Sequence, residues 1–247
     1  MPGVSIRGSY CHWSRGAQGC SAMTAEQVAV KARDLQLPGL GLGATLRLPA
    51  SPRGIIVFAH GSGSSRFSPR NSAVAGKLNQ AHFATLLLDL LTPSEEADRR
   101  NVFDIPLLAD RLAFAVEWID RQPELSYLPL GFFGASTGAG AALVAAARLR
   151  DRVGAIVSRG GRPDLAGPAL ASVSAPTLLI VGGNDEPVVE MNERALAQLR
   201  ARKALRIIPG ATHLFEEAGA LEKVSEYAEE WFILNLTSRS GTAAAMH

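Results

Sequence analysis

The stretch "LPLGFFGASTGAGAALVAAARLR", Leu128–Arg150, decides the fold. It passes from an apolar run typical of a buried strand, through small residues, into an alanine-rich run typical of a helix. Gly134, Ser136 and Gly138 form a G-x-S-x-G motif at the junction. A serine on such a strand-to-helix turn has a strained backbone that exposes its hydroxyl, and the glycines let helix and strand approach closely. The stretch therefore predicts a nucleophilic serine at position 136.

Short β-branched and leucine-rich runs alternate with segments of helical periodicity on both sides of this stretch. That alternation is typical of a mostly parallel sheet covered by helices on both faces. The predicted strands are 28–37, 43–49, 54–61, 84–91, 128–135, 153–160, 176–183 and 204–210. The predicted helices are 70–81, 105–121 with Asp104 as its N-cap, 137–150, 187–200 and 216–235. The sequence predicts an α/β fold with eight strands.

The two ends of the chain lack these patterns. Residues 1–23 are rich in glycine and serine and contain both cysteines, Cys11 and Cys20. With His12 they could ligate a metal, but no fourth ligand stands at a familiar spacing, so no metal site is predicted. A disulfide between them would need an oxidising compartment. We expect a flexible extension over 1–23, one domain over 24–237 and a loose tail over 238–247.

Composition restricts the classes of function. The 47% hydrophobic and 19% charged residues are typical of a soluble globular chain. The formal net charge of +2 comes without a polybasic run, so nucleic acid is not an expected partner. No apolar stretch approaches the roughly 18 residues of a membrane helix, and residues 1–23 lack the apolar core of a secretory signal. We expect a cytoplasmic protein without a membrane partner, and the oligomeric state stays open.

A serine nucleophile needs a general base, and the base needs an acid that orients it. On a sheet of this kind the acid and then the histidine follow the serine, each after a later strand. Asp185 follows "PTLLIVGGN" and His213 follows "ALRIIPGAT", so both are predicted at the carboxyl ends of strands, where ligands bind. We therefore predict Ser136, Asp185 and His213 as the triad. Glu186, beside Asp185, and Asp89, after "ATLLL", remain alternative acids.

The other histidines are weaker candidates for the base than His213. His60 precedes the serine and lies on the loop after the third strand, where we expect it to brace the loop, with catalysis as the alternative. His82 lies in a helix-to-strand loop, at the opposite edge of the sheet from the predicted crevice. His12 and His247 lie in the predicted loose ends.

Acyl transfer also needs backbone donors that stabilise the oxyanion. One comes from the residue after the nucleophile and the other from the loop after the third strand. These positions correspond to Thr137 and to the "HGSGSS" loop, where we favour Ser62 and then Gly63. Small residues in this loop allow the amides to point into a cavity.

The motifs "HGSGSSRFSPRN", "GASTG", "VSRGGRPDL", "VGGNDEPV" and "GATHLF" together resemble the α/β-hydrolase superfamily, most closely its dienelactone-hydrolase-like branch. The resemblance covers about residues 25–237. It implies Ser136 as nucleophile, Asp185 as acid and His213 as base, and it implies no cofactor. Dienelactone hydrolases proper have a cysteine nucleophile where this chain has serine, so a carboxylesterase acting on a small-molecule ester is the expected function.

Only about 15 residues, "GRPDLAGPALASVSA", separate the sixth and seventh predicted strands. Superfamily members often insert a lid there, and this length excludes a large one. An open site favours small or soluble acyl esters over long lipid chains. Arg159, Arg66 and Arg70 are candidates for binding an anionic substrate group, with solvated or helix-capping roles as the alternative. A thioesterase, an acyltransferase or perhydrolase, and least of all a non-catalytic binding protein remain alternative functions.

Overall fold

Eight strands form one sheet in the computed structural model, which describes residues 28–236. The strands are Val30–Leu37 (β1), Leu42–Pro49 (β2), Gly54–Ala59 (β3), Phe83–Leu88 (β4), Leu130–Ala135 (β5), Val153–Arg159 (β6), Thr177–Gly182 (β7) and Lys203–Ile208 (β8). Their order is β1-β2-β4-β3-β5-β6-β7-β8. Strand β2 is antiparallel to β1 and β4, and all other pairs are parallel. The predicted α/β-hydrolase fold with a mostly parallel eight-stranded sheet is confirmed.

Seven α-helices lie between or after these strands within the described residues. They are Pro69–Gln80 (α1), Pro93–Glu96 (α2), Arg99–Val102 (α3), Ile105–Asp120 (α4), Thr137–Leu149 (α5), Glu186–Gln198 (α6) and Ala220–Asn235 (α7). Asp104 caps α4 as expected, because its side chain accepts a hydrogen bond from the Leu107 N–H. The sequence prediction missed α2 and α3, because a helix of four residues is too short to show a periodic pattern.

The last helix begins at Ala220 rather than at the predicted position 216. Gly219, its N-cap, has a φ of 78°, and Phe215 has a φ of 56°, so the chain turns through left-handed conformations before the helix starts. This turn buries the Phe215 side chain, which is 2% exposed. Residues 216–219, predicted as the first turn of this helix, therefore lie before it in the structure.

Two apolar layers hold the sheet between the helices. On one face the core includes Leu112 of α4, Ala142 of α5 and Ala195 of α6. On the other face it includes Leu78 of α1 and Phe232 of α7. Strands β3, β4, β5 and β7 are buried at every position, as expected of parallel strands covered on both faces. Each fully buried leucine or phenylalanine contributes about 1.5–3 kcal/mol to folding.

The connection between β6 and β7 contains no large lid. It holds a 3-10 segment, Pro163–Ser172, which packs against α5 and α6. The buried Asn192 of α6 anchors its start by donating a hydrogen bond of 3.0 Å to the Gly161 carbonyl. The connection between β6 and β7 is therefore a short segment packed onto two helices.

None of the helices within residues 28–236 is long and apolar enough to span a lipid bilayer. The predicted extension 1–23, with both cysteines and His12, and the predicted tail 238–247, with His247, lie outside the described residues.

Candidate active site

Ser136 lies on a sharp turn between β5 and α5. Its φ of 50° and ψ of −124° are strained for a residue with a side chain, and they direct that side chain away from the sheet. The turn requires glycines around it. A Cβ on Gly134 would stand 2.5 Å from the Cα of Ala139, and a Cβ on Gly138 would stand 2.4 Å from the Ala59 carbonyl oxygen. No larger residue fits at either position, which explains the G-x-S-x-G spacing.

Asp185 and His213 meet at the carboxyl ends of β7 and β8. The Nδ1 of His213 lies 2.7 Å from Oδ2 of Asp185, and the two side chains are 39% and 17% exposed. Glu186 is exposed as the first residue of α6 and makes no contact of this kind. Asp89 accepts from the backbone N–H of Arg66 at 2.7 Å and also pairs with its guanidinium. Of the three candidate acids, Asp185 is the one that contacts the histidine.

Ser136 is a neighbour of this pair through the end of β6. Its backbone N–H donates to the Arg159 carbonyl at 3.4 Å. The next residue, Gly160, lies against the histidine, because a Cβ there would stand 3.6 Å from Cε1 of His213. No hydrogen bond joins the Ser136 hydroxyl to His213 in the described part of the chain. Such contacts are often long before substrate binds and tighten in the complex.

The loop after β3 runs alongside the serine. A Cβ on Gly61 would stand 2.8 Å from the Cβ of Ser136, so only glycine fits there. The Ser62 N–H donates a hydrogen bond of 3.0 Å to Oγ1 of Thr137. Ser62, the expected oxyanion donor of this loop, lines the cavity described below, and its amide already has a hydrogen-bond acceptor across the turn. Gly63 is exposed, with a φ of 68°, while the N–H of Thr137 belongs to the first turn of α5, where it has no acceptor within the helix.

His60 is a structural part of this loop. Its Nε2 accepts a hydrogen bond of 3.1 Å from the Leu90 N–H, so Nδ1 must carry the proton, which it donates to the Gly61 carbonyl at 2.9 Å. Burial lowers the pKa of His60 below its usual 6.5 and outweighs the hydrogen bond to Gly61. A neutral imidazole with both nitrogens occupied braces the loop after β3 to the loop after β4.

A cavity of about 210 Å³ opens beside the nucleophile turn. Thr137 and the loop of residues 60–65 line one side of it, and Leu91, Val102 and Leu108 line the other. Part of the apolar side, Val102, belongs to the short helix α3, which the sequence did not predict. The cavity adjoins Thr137 and is not lined by His213, and its apolar side suits a small apolar group.

The three arginines suggested for substrate binding have different surroundings. Arg66 is neutralised by Asp89. Arg70 forms a salt bridge of 3.2 Å with Glu216, while Arg159 is 8% exposed and has no carboxylate partner among the described residues. Within those residues no group of three or more His, Cys, Asp or Glu side chains could hold a metal ion.

The chain matches a family model described as the dienelactone hydrolase family over residues 42–236. Two curated relatives, from two strains of Mycobacterium tuberculosis and provisionally named phosphoribosyl transferases, are 62% identical over 191 residues. The match covers 77% of this chain and 43% of each relative, so the chain spans less than half of their length.

Solved structures are similar over nearly the whole domain. The dienelactone hydrolase of Anabaena variabilis is 55% identical with a TM-score of 0.81, and the match covers 85% of this chain and 99% of that one. The Est1E protein of Butyrivibrio proteoclasticus, solved with ferulic acid bound, is 20% identical with a TM-score of 0.70 over 83% of this chain and 99% of its own. At that identity the likeness to Est1E concerns the fold alone.

Proposed function

This chain belongs to the dienelactone hydrolase family, and from that premise we propose that it is a serine hydrolase that cleaves carboxylic esters of small or water-soluble acyl groups. The observation that carries the proposal is the 2.7 Å contact between Asp185 and His213, beside a strained serine turn. In this proposal Ser136 is the nucleophile, His213 the general base and Asp185 the acid that orients it.

The proposed reaction uses the proton positions that this contact favours. Asp185 accepts the Nδ1 proton of His213, which leaves Nε2 free to take the proton of the Ser136 hydroxyl as its oxygen attacks the ester carbonyl. The tetrahedral intermediate collapses, the C–O bond to the alcohol breaks, and His213 returns the proton to the leaving alcohol. Water, deprotonated by His213, then attacks the acyl-enzyme, the C–O bond to Ser136 breaks, and His213 returns the proton to the serine oxygen as the acid is released.

We propose that the oxyanion is stabilised by backbone donors at the start of α5 and on the loop after β3. The N–H of Thr137 is one donor, and its position at a helix N-terminus favours the developing negative charge. The second donor is the N–H of Ser62, with Gly63 as the alternative. The Ser62 N–H already donates to Oγ1 of Thr137. To stabilise the oxyanion, it must either form a bifurcated hydrogen bond to both oxygens or break its bond to Thr137.

The exposure of the site supports hydrolysis, and transfer to another alcohol or to peroxide is the related alternative. Ser136 and His213 are partly exposed, so water can reach the acyl-enzyme as the acceptor. Analysis of the products with methanol or peroxide present distinguishes these reactions, and an acyl-CoA panel distinguishes a thioesterase. The mycobacterial relatives are named for a transferase activity, but this chain spans less than half of those proteins, so their name does not support a transferase function here.

Replacing the serine tests the nucleophile. We expect Ser136→Ala to lower kcat for short p-nitrophenyl esters by about 10⁴- to 10⁶-fold, because the covalent route is removed. A fluorophosphonate probe should label the parent protein and fail to label the variant. Cleavage at the parent rate by a folded Ser136→Ala protein would refute the assignment.

A matched pair of substitutions tests the acid. Asp185→Asn removes the charge that orients His213, and kcat should fall by about 10³- to 10⁴-fold. Asp89→Asn removes a charge that is paired with Arg66, so it should affect stability more than kcat. The assignment fails if, with both variants folded, only Asp89→Asn loses activity.

A further inference from the structure

A buried arginine without a compensating carboxylate lies at the end of β6. Arg159 is 8% exposed, and its Nη2 donates to Oδ1 of Asn71 at 3.3 Å. Its Nε and Nη1 are fully buried without a hydrogen-bond partner within the described chain. The guanidinium carbon of Arg159 also lies 6.0 Å from the centre of the Phe215 ring. Within residues 28–236 the charge has no other attractive side-chain contact. A buried charge left in this state is costly, because water has been removed and no counter-charge replaces it.

A second arginine adds to the positive charge. Arg70, in the first turn of α1, is one-third exposed, and its salt bridge goes to Glu216, whose side chain is 64% exposed. Its Nε is also buried without a partner. Burial first and then repulsion from Arg70 lower the pKa of Arg159 to about 10, which still leaves it charged at neutral pH. The two guanidinium groups thus concentrate positive charge that Glu216 compensates only from the solvent side.

This cluster adjoins the proposed catalytic residues. Arg159 is followed by Gly160, whose backbone lies against His213, and the Arg159 carbonyl accepts the Ser136 N–H. Phe215, over which the guanidinium sits, comes two residues after His213. The cavity beside the nucleophile turn is lined by Thr137 but by neither Arg159 nor Arg70. The arginine cluster and this cavity are therefore two separate neighbours of the turn, one suited to an anionic group of a substrate and the other to an apolar group.

We propose that Arg159 and Arg70, with the N-terminal turn of α1, form a binding site for an oxyanion group such as a carboxylate or a phosphate. The group supplies the acceptor that Nε and Nη1 of Arg159 lack, and planar guanidinium groups bind such anions with two parallel hydrogen bonds. Arg66 has no part in the site, because Asp89 already neutralises it. The binding of an anion at this site is independent of the proposed function. The further step, that the ester substrate carries this anion, rests on the proposed function.

Half-esters that differ only in charge test the substrate arm. The mono-p-nitrophenyl esters of succinate, glutarate and adipate are compared with the methyl-capped diesters of the same length. We expect the best charged ester to exceed its capped partner in kcat/KM, and Arg70→Gln and Arg159→Gln to lower kcat/KM for that ester by about 10- to 100-fold. Activity on the capped ester shows that each variant is folded and catalytically competent. Arg194→Gln, in an exposed pair with Glu190 on α6, is the matched control and should change neither rate.

Thermal melting of the Ser136→Ala protein tests anion binding without any hydrolysis. Inorganic phosphate or glutarate at millimolar concentration should raise the melting temperature at constant ionic strength, and Arg70→Gln should abolish this rise while Arg194→Gln preserves it. A rise with phosphate, together with no preference for charged esters, assigns the site to a free anion instead of a substrate group. If neither anion raises the melting temperature and charged esters have no advantage, the site does not exist, even when the Ser136 assignment holds.

Discussion

At the scale of single residues, Thr137 has two roles that the G-x-S-x-G motif does not reveal. Its backbone N–H is one of the proposed oxyanion donors, and its hydroxyl accepts a hydrogen bond of 3.0 Å from the Ser62 N–H. The side chain is 4% exposed, so water competes little for this bond. Thr137 therefore links the helix that carries one proposed donor to the loop that carries the other.

Thr137→Val tests this link, since valine keeps the shape and removes the hydroxyl. We expect kcat on short esters to fall by about 3- to 10-fold, because one neutral hydrogen bond contributes roughly 0.5–1.5 kcal/mol. Thr137→Ser keeps the hydroxyl and should retain most of the activity. Steady-state kinetics on both variants decides the matter. An increase in kcat for Thr137→Val would show that the hydroxyl blocks the Ser62 donor.

His60 makes the folded protein sensitive to acid. Its pKa is lowered by burial in the folded state, so the unfolded chain binds more protons on this residue. The stability that comes from neutral His60 is therefore present above about pH 6.5 and is lost as the pH falls through the lower folded-state pKa.

His60→Gln should consequently flatten the acid side of the stability profile. We expect the variant to be less stable than the parent at pH 7.5, because the bonds to Leu90 and Gly61 are weakened. The difference between the two proteins should shrink as the pH falls to 5. Melting temperatures across this range measure it, and a difference that stays constant would mean that His60 takes no part in the acid sensitivity.

At the scale of elements, the position of α5 against the sheet depends on missing side chains. A Cβ on Gly138 would stand 2.4 Å from the carbonyl oxygens of Ala59 and His60, both backbone atoms that cannot move aside cheaply. A Cβ on Gly76 of α1 would meet nothing within 4 Å. The same residue type is thus required in one helix and dispensable in the other.

Glycine-to-alanine substitution in the two helices should have opposite effects. Gly138→Ala forces α5 away from β3 and should lower the free energy of unfolding by about 2–3 kcal/mol, with loss of activity. Gly76→Ala should raise it by about 0.5–1 kcal/mol, because alanine loses less backbone entropy on forming a helix. Urea denaturation of both variants measures the two changes. Equal effects of the two substitutions would contradict the close-approach argument.

At the scale of the whole molecule, residues 28–236 contain all the proposed site residues and an apolar layer on each face of the sheet. The sheet places the proposed nucleophile at the end of β5, between β3 and β6, so that the loops after both neighbouring strands reach it. The described residues should therefore be sufficient for folding and hydrolysis.

A protein trimmed to residues 28–236 tests this sufficiency. We expect it to melt in one cooperative transition within a few degrees of the full chain and to keep kcat/KM for short esters within about twofold. Calorimetry and steady-state kinetics measure both. A large loss of activity with an unchanged melting temperature would mean that residues outside this range take part in the site.

The sequence by itself determined the elements and the order of the chemical groups. Runs of buried strand residues, the G-x-S-x-G turn and the succession of Ser136, Asp185 and His213 are local patterns, and local patterns record backbone preference and burial. The sheet and its eight strands could therefore be predicted, as could the meeting of Asp185 with His213 at one edge.

Tertiary packing alone decided which side chains are already paired. The sequence could not show that Asp89 neutralises Arg66, that Thr137 accepts the Ser62 amide proton, or that Arg159 is buried with no counter-charge from residues 28–236. These contacts join residues that are far apart in the chain, and their formation depends on distances of a few ångströms between elements. Sequence patterns record the spacing along one chain segment, whereas the availability of a charge or an amide depends on what another segment brings beside it.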